Sequence, residues 1–158
     1  MVHRGIATQA GLLMFCYILL SHFEPSFFLF HLYQSLIFLV IILMLFYFED
    51  HFAYMLGMLA PAASLLIMVG TGMLPAGLRQ VWYLVSPPYP GHKADPISSM
   101  AIVTGVCAVL MIIFCAYRWK REFAGGGKGL STFLISLGIV VVYYGILIVW
   151  FWREVSPR

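Results

Sequence analysis

Residues 36–48 read LIFLVIILMLFYF, with no charge, no amide and one hydroxyl, that of Tyr47. A strand of a membrane barrel alternates polarity over about 10 residues, and this stretch does not alternate. A helix rises about 1.5 Å per residue, so about 20 such residues cross a hydrocarbon core about 30 Å thick. Extended to the nearest charges, Glu24 and Glu49, the run occupies 25–48. Inside hydrocarbon every backbone N–H and C=O must find an internal partner, which leaves helices or closed barrels. The missing alternation selects the helix.

Working outward, four more charge-free runs appear, at 5–23, 51–78, 96–117 and 129–152. Across the chain 63% of residues are hydrophobic and 9% are charged, against about 45–50% and about 25% in ordinary soluble domains. This excludes a water-soluble globule, a disordered chain and a secreted disulfide scaffold. The predicted fold is an all-α integral membrane protein of five transmembrane helices. They form one polytopic domain over 1–158, at about 6–23, 27–48, 52–74, 99–117 and 130–152, with an extramembrane loop at 75–98. The third contains Gly57, Pro61, Gly70 and Gly72. Pro61 lacks an N–H and should kink it; a re-entrant third segment, leaving four full spans, is the alternative. The first run has a basic start (His3, Arg4), but Ser21-His22-Phe23-Glu24 offers no small-x-small cleavage site, so a retained first helix is expected.

With five spans, Arg4, Arg118, Lys120, Arg121 and Lys128 share one side, and Arg79, Lys93, Arg153 and Arg158 the other. The cluster Arg118-Trp119-Lys120-Arg121 sits at a helix end, where positive residues most strongly mark the cytoplasmic face. The expected location is the cytoplasmic membrane of a bacterium, with the N-terminus inside. A net charge of +3 does not suggest nucleic acid; the basic cluster suits anionic headgroups.

The long loop carries Pro75, Pro87, Pro88, Pro90, Gly91 and Pro96, with Trp82, Tyr83 and Tyr89. Its first part, Gly77 to Val85, suits a short interfacial helix with Trp82 and Tyr83 at headgroup level. Gly125-Gly126-Gly127-Lys128-Gly129 lacks the strand, spacing and Lys-Ser/Thr end of a phosphate loop and reads as a flexible joint.

Lipid tails remove the usual hydrophobic drive between helices, so small residues that permit close approach mark helix contacts. The fourth helix has Ala101, Gly105, Ala108 and Cys115 on one stripe, and the fifth has Ser131, Gly138 and Gly145 at intervals of seven. Both stripes are expected to face neighbouring helices, most simply each other as a hairpin. Ala60, Ala63 and Ser64 beside Pro61 favour close approach of the third helix. Cys16, Cys107 and Cys115 have no metal or redox spacing and read as small packing residues.

Two clusters carry possible chemistry. His22 and His31 flank the turn Glu24-Pro25-Ser26, and ionisable groups within a membrane are functional hypotheses by default. They are the candidate cofactor-binding residues, for a haem, a chlorophyll-type pigment, or a quinone held by His31 with Tyr33, Gln34 or Ser35. A bis-His haem needs more room than helices joined by so tight a turn provide. The plain alternative is an interfacial histidine satisfied by Glu24, water or headgroups. Glu49-Asp50-His51 is the second cluster. Adjacent turn residues rarely converge on one ion, and Asp50 suits a helix cap, so no metal site is assigned. No His-Glu-x-x-His, Gly-x-Ser-x-Gly or aspartate-rich motif is present.

The expected function is a small non-catalytic accessory or scaffolding subunit of a larger membrane complex, of an electron-transfer or photosynthetic kind. Its expected partners are the lipid bilayer and other membrane subunits. The alternatives are a cofactor-bearing protein using His22 and His31, and a small transporter or enzyme built on the kinked third helix and Glu49-Asp50-His51.

Overall fold

The computed structural model describes residues 2–47, 50–86, 95–123 and 129–151. Its elements are α1 (Val2–Phe23), a 3-10 turn (Pro25–Phe27), α2 (Phe28–Tyr47), α3 (Asp50–Gly70), α4 (Met73–Val85), α5 (Pro96–Phe123) and α6 (Gly129–Trp150). All but α4 and the 3-10 turn are long and apolar enough to span a bilayer, five helices among the described residues. The protein is an all-α integral membrane protein.

The third span is one continuous helix that retains Pro61 in its interior, so the re-entrant alternative does not hold. It ends at a glycine turn: Gly72 takes φ 78°, and Thr71 bonds through its hydroxyl to the Ile67 carbonyl at 2.9 Å. A positive φ costs glycine little and other residues considerably more. The Gly72 carbonyl then accepts from Ala76 N–H at 3.0 Å, and α4 begins. The short helix expected at Gly77–Val85 is therefore part of α4, which begins earlier, at Met73. Pro75 lies in the first turn of α4, where its missing N–H has no intrahelical partner to lose.

The fourth span starts three residues earlier than expected because Asp95-Pro96 is an N-terminal cap. The Asp95 carboxylate accepts from Ser98 N–H at 3.1 Å and Ser98 hydroxyl at 2.7 Å, with Pro96 at the first helical position. The Ser98 hydroxyl holds the Asp95 carboxyl below its ordinary value. At the other end α5 continues past Tyr117 to Phe123, with Arg118 and Glu122 paired at 3.7 Å.

Helix α3 is the hub: it packs on α2, α4, α5 and α6, while α1 pairs with α2 and α5. Small residues permit this. Gly57 lies so close to α5 that a Cβ there would stand 2.6 Å from Cys115 Sγ, and Ala53, Ala60 and Ser64 are fully buried on α3. On α5, Ala101, Gly105 and Ala108 are buried, and a Cβ on Gly105 would meet Leu74 of α4 at 2.9 Å.

The α6 stripe is a correction. Ser131 and Gly138 are exposed, Gly145 is half-buried, and a Cβ on either glycine would meet nothing within 4 Å. The face of α6 that packs runs through Thr132, Ser136, Val140, Tyr144 and Leu147, and it packs on α3 rather than forming a hairpin with α5. The spacing of seven identified a face but not which way it turns. Tyr144 decides the rotation, because its hydroxyl has to find a partner away from lipid.

Candidate functional site

Polar side chains gather near the end of the bundle that holds the α1–α2 turn. Tyr17, Ser64 and Tyr144 each lie six residues before the last residue of their helix, and Gln34 six after the first of its own. At about 1.5 Å per residue, all four sit about 9 Å beneath that end. They form a polar layer beneath that end of the bundle, and all four are buried.

At its centre, Tyr144 hydroxyl lies 3.1 Å from the Ala60 carbonyl and 2.6 Å from Ser64 Oγ. A phenol has one proton. Given to the Ala60 carbonyl, it leaves Ser64 to donate to the phenolic oxygen, which satisfies both hydroxyls. Tyr17 approaches from α1, its hydroxyl on Met68 Sδ at 3.7 Å, with the Ser64 hydroxyl beside it. Three helices are thus joined where α3 carries Pro61.

His31 stands at the rim of this layer. It is 1% exposed, and its Nε2 lies 3.3 Å from Glu24 Oε2. Tyr17 stacks on the ring at 6.3 Å between centroids, and Phe30 meets it edge-on at 5.4 Å. Among the described residues its Nδ1 has no hydrogen-bond partner, nor does Gln34 Nε2 three residues along the same helix. An imidazole with one nitrogen on a carboxylate and the other free is the arrangement histidine ligands commonly adopt.

His22, the other candidate, is exposed, and its ring meets Phe23 edge-on at 6.1 Å. No ring contact joins it to His31 among the described residues. A pair of axial imidazoles does not fit one exposed and one buried ring. The residues expected to help with a quinone are largely engaged: Tyr33 with Tyr143, and Ser35 with the Leu32 carbonyl at 2.7 Å. Tyr33 and Tyr143 stack at 4.5 Å and each reaches the other's backbone carbonyl. This clasp bridges α2 and α6 beside a groove of 530 Å³ lined by Tyr33, Ile135, Gly138, Ile139, Val142 and Ile146.

In the second expected cluster, Glu49 lies outside the described residues, and His51 packs on Phe52 at 4.5 Å. The prolines and glycine at 87–91 and the glycine run at 125–128 also lie outside them. Among the described residues no three His, Cys, Asp or Glu side chains gather as a metal site. Cys16 and Cys115 are buried and Cys107 half-buried, all as free thiols, with Cys16 against Thr104 and Cys107 of α5.

The tyrosines are what the sequence reading missed. Tyr17 and Tyr144 lie within apolar runs, yet their hydroxyls face the interior of the bundle. The available signal was Tyr143-Tyr144 in the middle of an apolar run: a phenol held away from the interface needs a partner, because hydrocarbon offers none.

The chain matches no family model, and comparison with curated proteins and with solved structures returns no match.

Proposed function

We propose that the protein is a non-catalytic accessory subunit that fits laterally into a larger membrane assembly. The observation that carries this reading is the outward face of α6. The helix is held to the bundle by one stripe on α3 and by the tyrosine clasp, while Leu134, Ile135, Val141, Val142 and Val149 are more than half exposed. On that same outward side lie Ser131 and Gly138 with the 530 Å³ groove beside them. Small residues at helical intervals are where membrane helices approach one another closely. A face so shaped, left free by the described residues, suits a helix of another subunit. The polar layer inside joins α1, α3 and α6, which gives the bundle the rigidity a scaffold needs.

Native mass spectrometry after extraction in mild detergent tests this. The expected result is a defined complex heavier than the 17.8 kDa chain, which Gly138→Leu dissociates without unfolding the protein, since nothing lies within 4 Å of that position. A stable lone chain, or a complex indifferent to Gly138→Leu, overturns the reading.

A second reading rests on His31, whose Nε2 faces Glu24 and whose Nδ1 is unpartnered. It is a single-histidine ligand for a pigment or a haem whose other axial position is filled elsewhere. An absorption spectrum of the freshly extracted protein decides it. A Soret or red band that His31→Phe abolishes supports the ligand role, and a featureless spectrum removes it.

A further inference from the structure

A second groove lies where α3, α4 and α5 meet. Leu65, Leu74, Leu78, Ile102, Val106 and Val109 line 290 Å³, with Gly105 and Leu110 completing the wall. Every lining side chain is apolar, and the open side shows Leu78, Val106, Val109 and Leu110 to the surroundings. It lies where α4 packs against α5. Leu74 stands over Gly105, while Gly77 stands over the Ser98 carbonyl and Ile102, so the two helices run antiparallel. Gly77 admits this approach, since a Cβ there would meet that carbonyl at 2.7 Å.

The register sets the direction of the groove. It follows α5 from Ile102 to Leu110, about 12 Å inward from the headgroup end at about 1.5 Å per residue. On α4, Arg79 directly follows the lining residue Leu78 and lies two residues beyond Gly77, toward the headgroup end. It is exposed and makes no ion pair among the described residues. Trp82, 70% exposed, is one turn further on, in the position of an interfacial aromatic. An exposed cation next to the groove wall on its headgroup side, an exposed indole one turn further on and an apolar trough running inward together match an anionic headgroup with an acyl chain attached.

We propose that the α3–α4–α5 groove is a binding site for an anionic glycerophospholipid, its phosphate on Arg79 and one acyl chain along Ile102–Leu110. The inference needs only that the chain resides in a bilayer and is independent of the accessory role proposed above. Guanidinium is well suited to phosphate, offering planar paired donors.

The test reconstitutes the whole protein in bilayer nanodiscs of equal phosphatidylglycerol and phosphatidylcholine, then counts retained lipids by native mass spectrometry. One interfacial arginine corresponds to about a fivefold preference for the anionic lipid. The expected wild-type ratio is therefore about fivefold, falling to about one in Arg79→Gln. Val109→Trp, which fills the trough from its open side, should lower retention of both lipids; Val106→Phe is the second filler should the first fail to fold. Circular dichroism and monodispersity certify each variant. A wild-type ratio near one, an unchanged ratio in Arg79→Gln, or displacement of the lipid by millimolar inorganic phosphate would overturn the proposal; the last would mark a free-anion site instead.

Discussion

Replacing Tyr144 by phenylalanine removes one oxygen and leaves the ring in place. Two contacts disappear, to the Ala60 carbonyl at 3.1 Å and to Ser64 Oγ at 2.6 Å. Interhelical hydrogen bonds in membrane proteins average about 0.6 kcal/mol and reach about 1.7 kcal/mol. Two of them together are worth about 1.2 kcal/mol. Ser64 is not stranded by the change, because a helical serine can turn its hydroxyl onto the carbonyl four residues back, here that of Ala60. The net cost of Tyr144→Phe should therefore be about 1 kcal/mol rather than the larger penalty of an unsatisfied buried group. Ser64→Ala should cost less on its own, since Tyr144 keeps the Ala60 carbonyl. The assay is reversible unfolding in mixed micelles titrated with denaturing detergent, run as a double-mutant cycle. The expected coupling between positions 64 and 144 is about 0.5 kcal/mol, and the exposed control Ser131→Ala should be neutral. A Tyr144→Phe variant as stable as the parent, with zero coupling, would refute the argument that this hydroxyl fixes the rotation of α6.

Three further outcomes follow from particular contacts. Gly57→Ala places a Cβ 2.6 Å from Cys115 Sγ and should cost about 1–3 kcal/mol by overpacking, whereas Gly138→Ala meets nothing and should leave the same unfolding midpoint unchanged. Glu24→Ala leaves the 1%-exposed His31 without its carboxylate and should destabilise the α1–α2 hairpin by about 1–3 kcal/mol; adding His31→Phe should restore most of the loss, and a double variant worse than the single one would count against the pairing. The Asp95 carboxyl titrates below its ordinary 3.8 because the Ser98 hydroxyl bonds its ionised form, so the cap holds in full above about pH 3.8 and is lost as pH falls through the lower folded value. The protection factor of the Ser98 amide, its exchange rate set against the intrinsic rate at the same pH, should fall only under that acid condition or in Asp95→Ala, and a pH-independent protection factor would contradict the cap.

The spans were legible because charge placement alone marks where a chain can enter hydrocarbon. Leu36–Phe48 could not be a strand, and the runs around it had the length to cross. Helix α4 was legible from Gly77 to Val85 but not at its start, because Pro75 reads as a loop residue, although a proline in a first turn begins a helix as readily as it ends one. Asp95-Pro96 carried the same information in plainer form, an acidic cap followed by proline at the first position. The rotation of a helix about its own axis is another matter. In water, the buried face is the apolar one; among apolar helices in lipid, every face passes that test, and Ser131, Gly138 and Gly145 looked as inward as Ala101, Gly105 and Ala108. The histidines show the same limit. Their places in the chain put both near one turn, but whether an imidazole faces the bundle depends on partners such as Tyr17 and Glu24 that lie elsewhere in the sequence.

Five membrane crossings underlie every contact described above, and a topology measurement tests that number directly. Epitopes placed at the N-terminus and at the C-terminus, probed with protease on intact and on permeabilised cells, should be reached from opposite faces of the membrane, because an odd number of crossings separates the two ends. Both epitopes cleaved from the same face would mean an even number, and the bundle of five spanning helices could not stand as described.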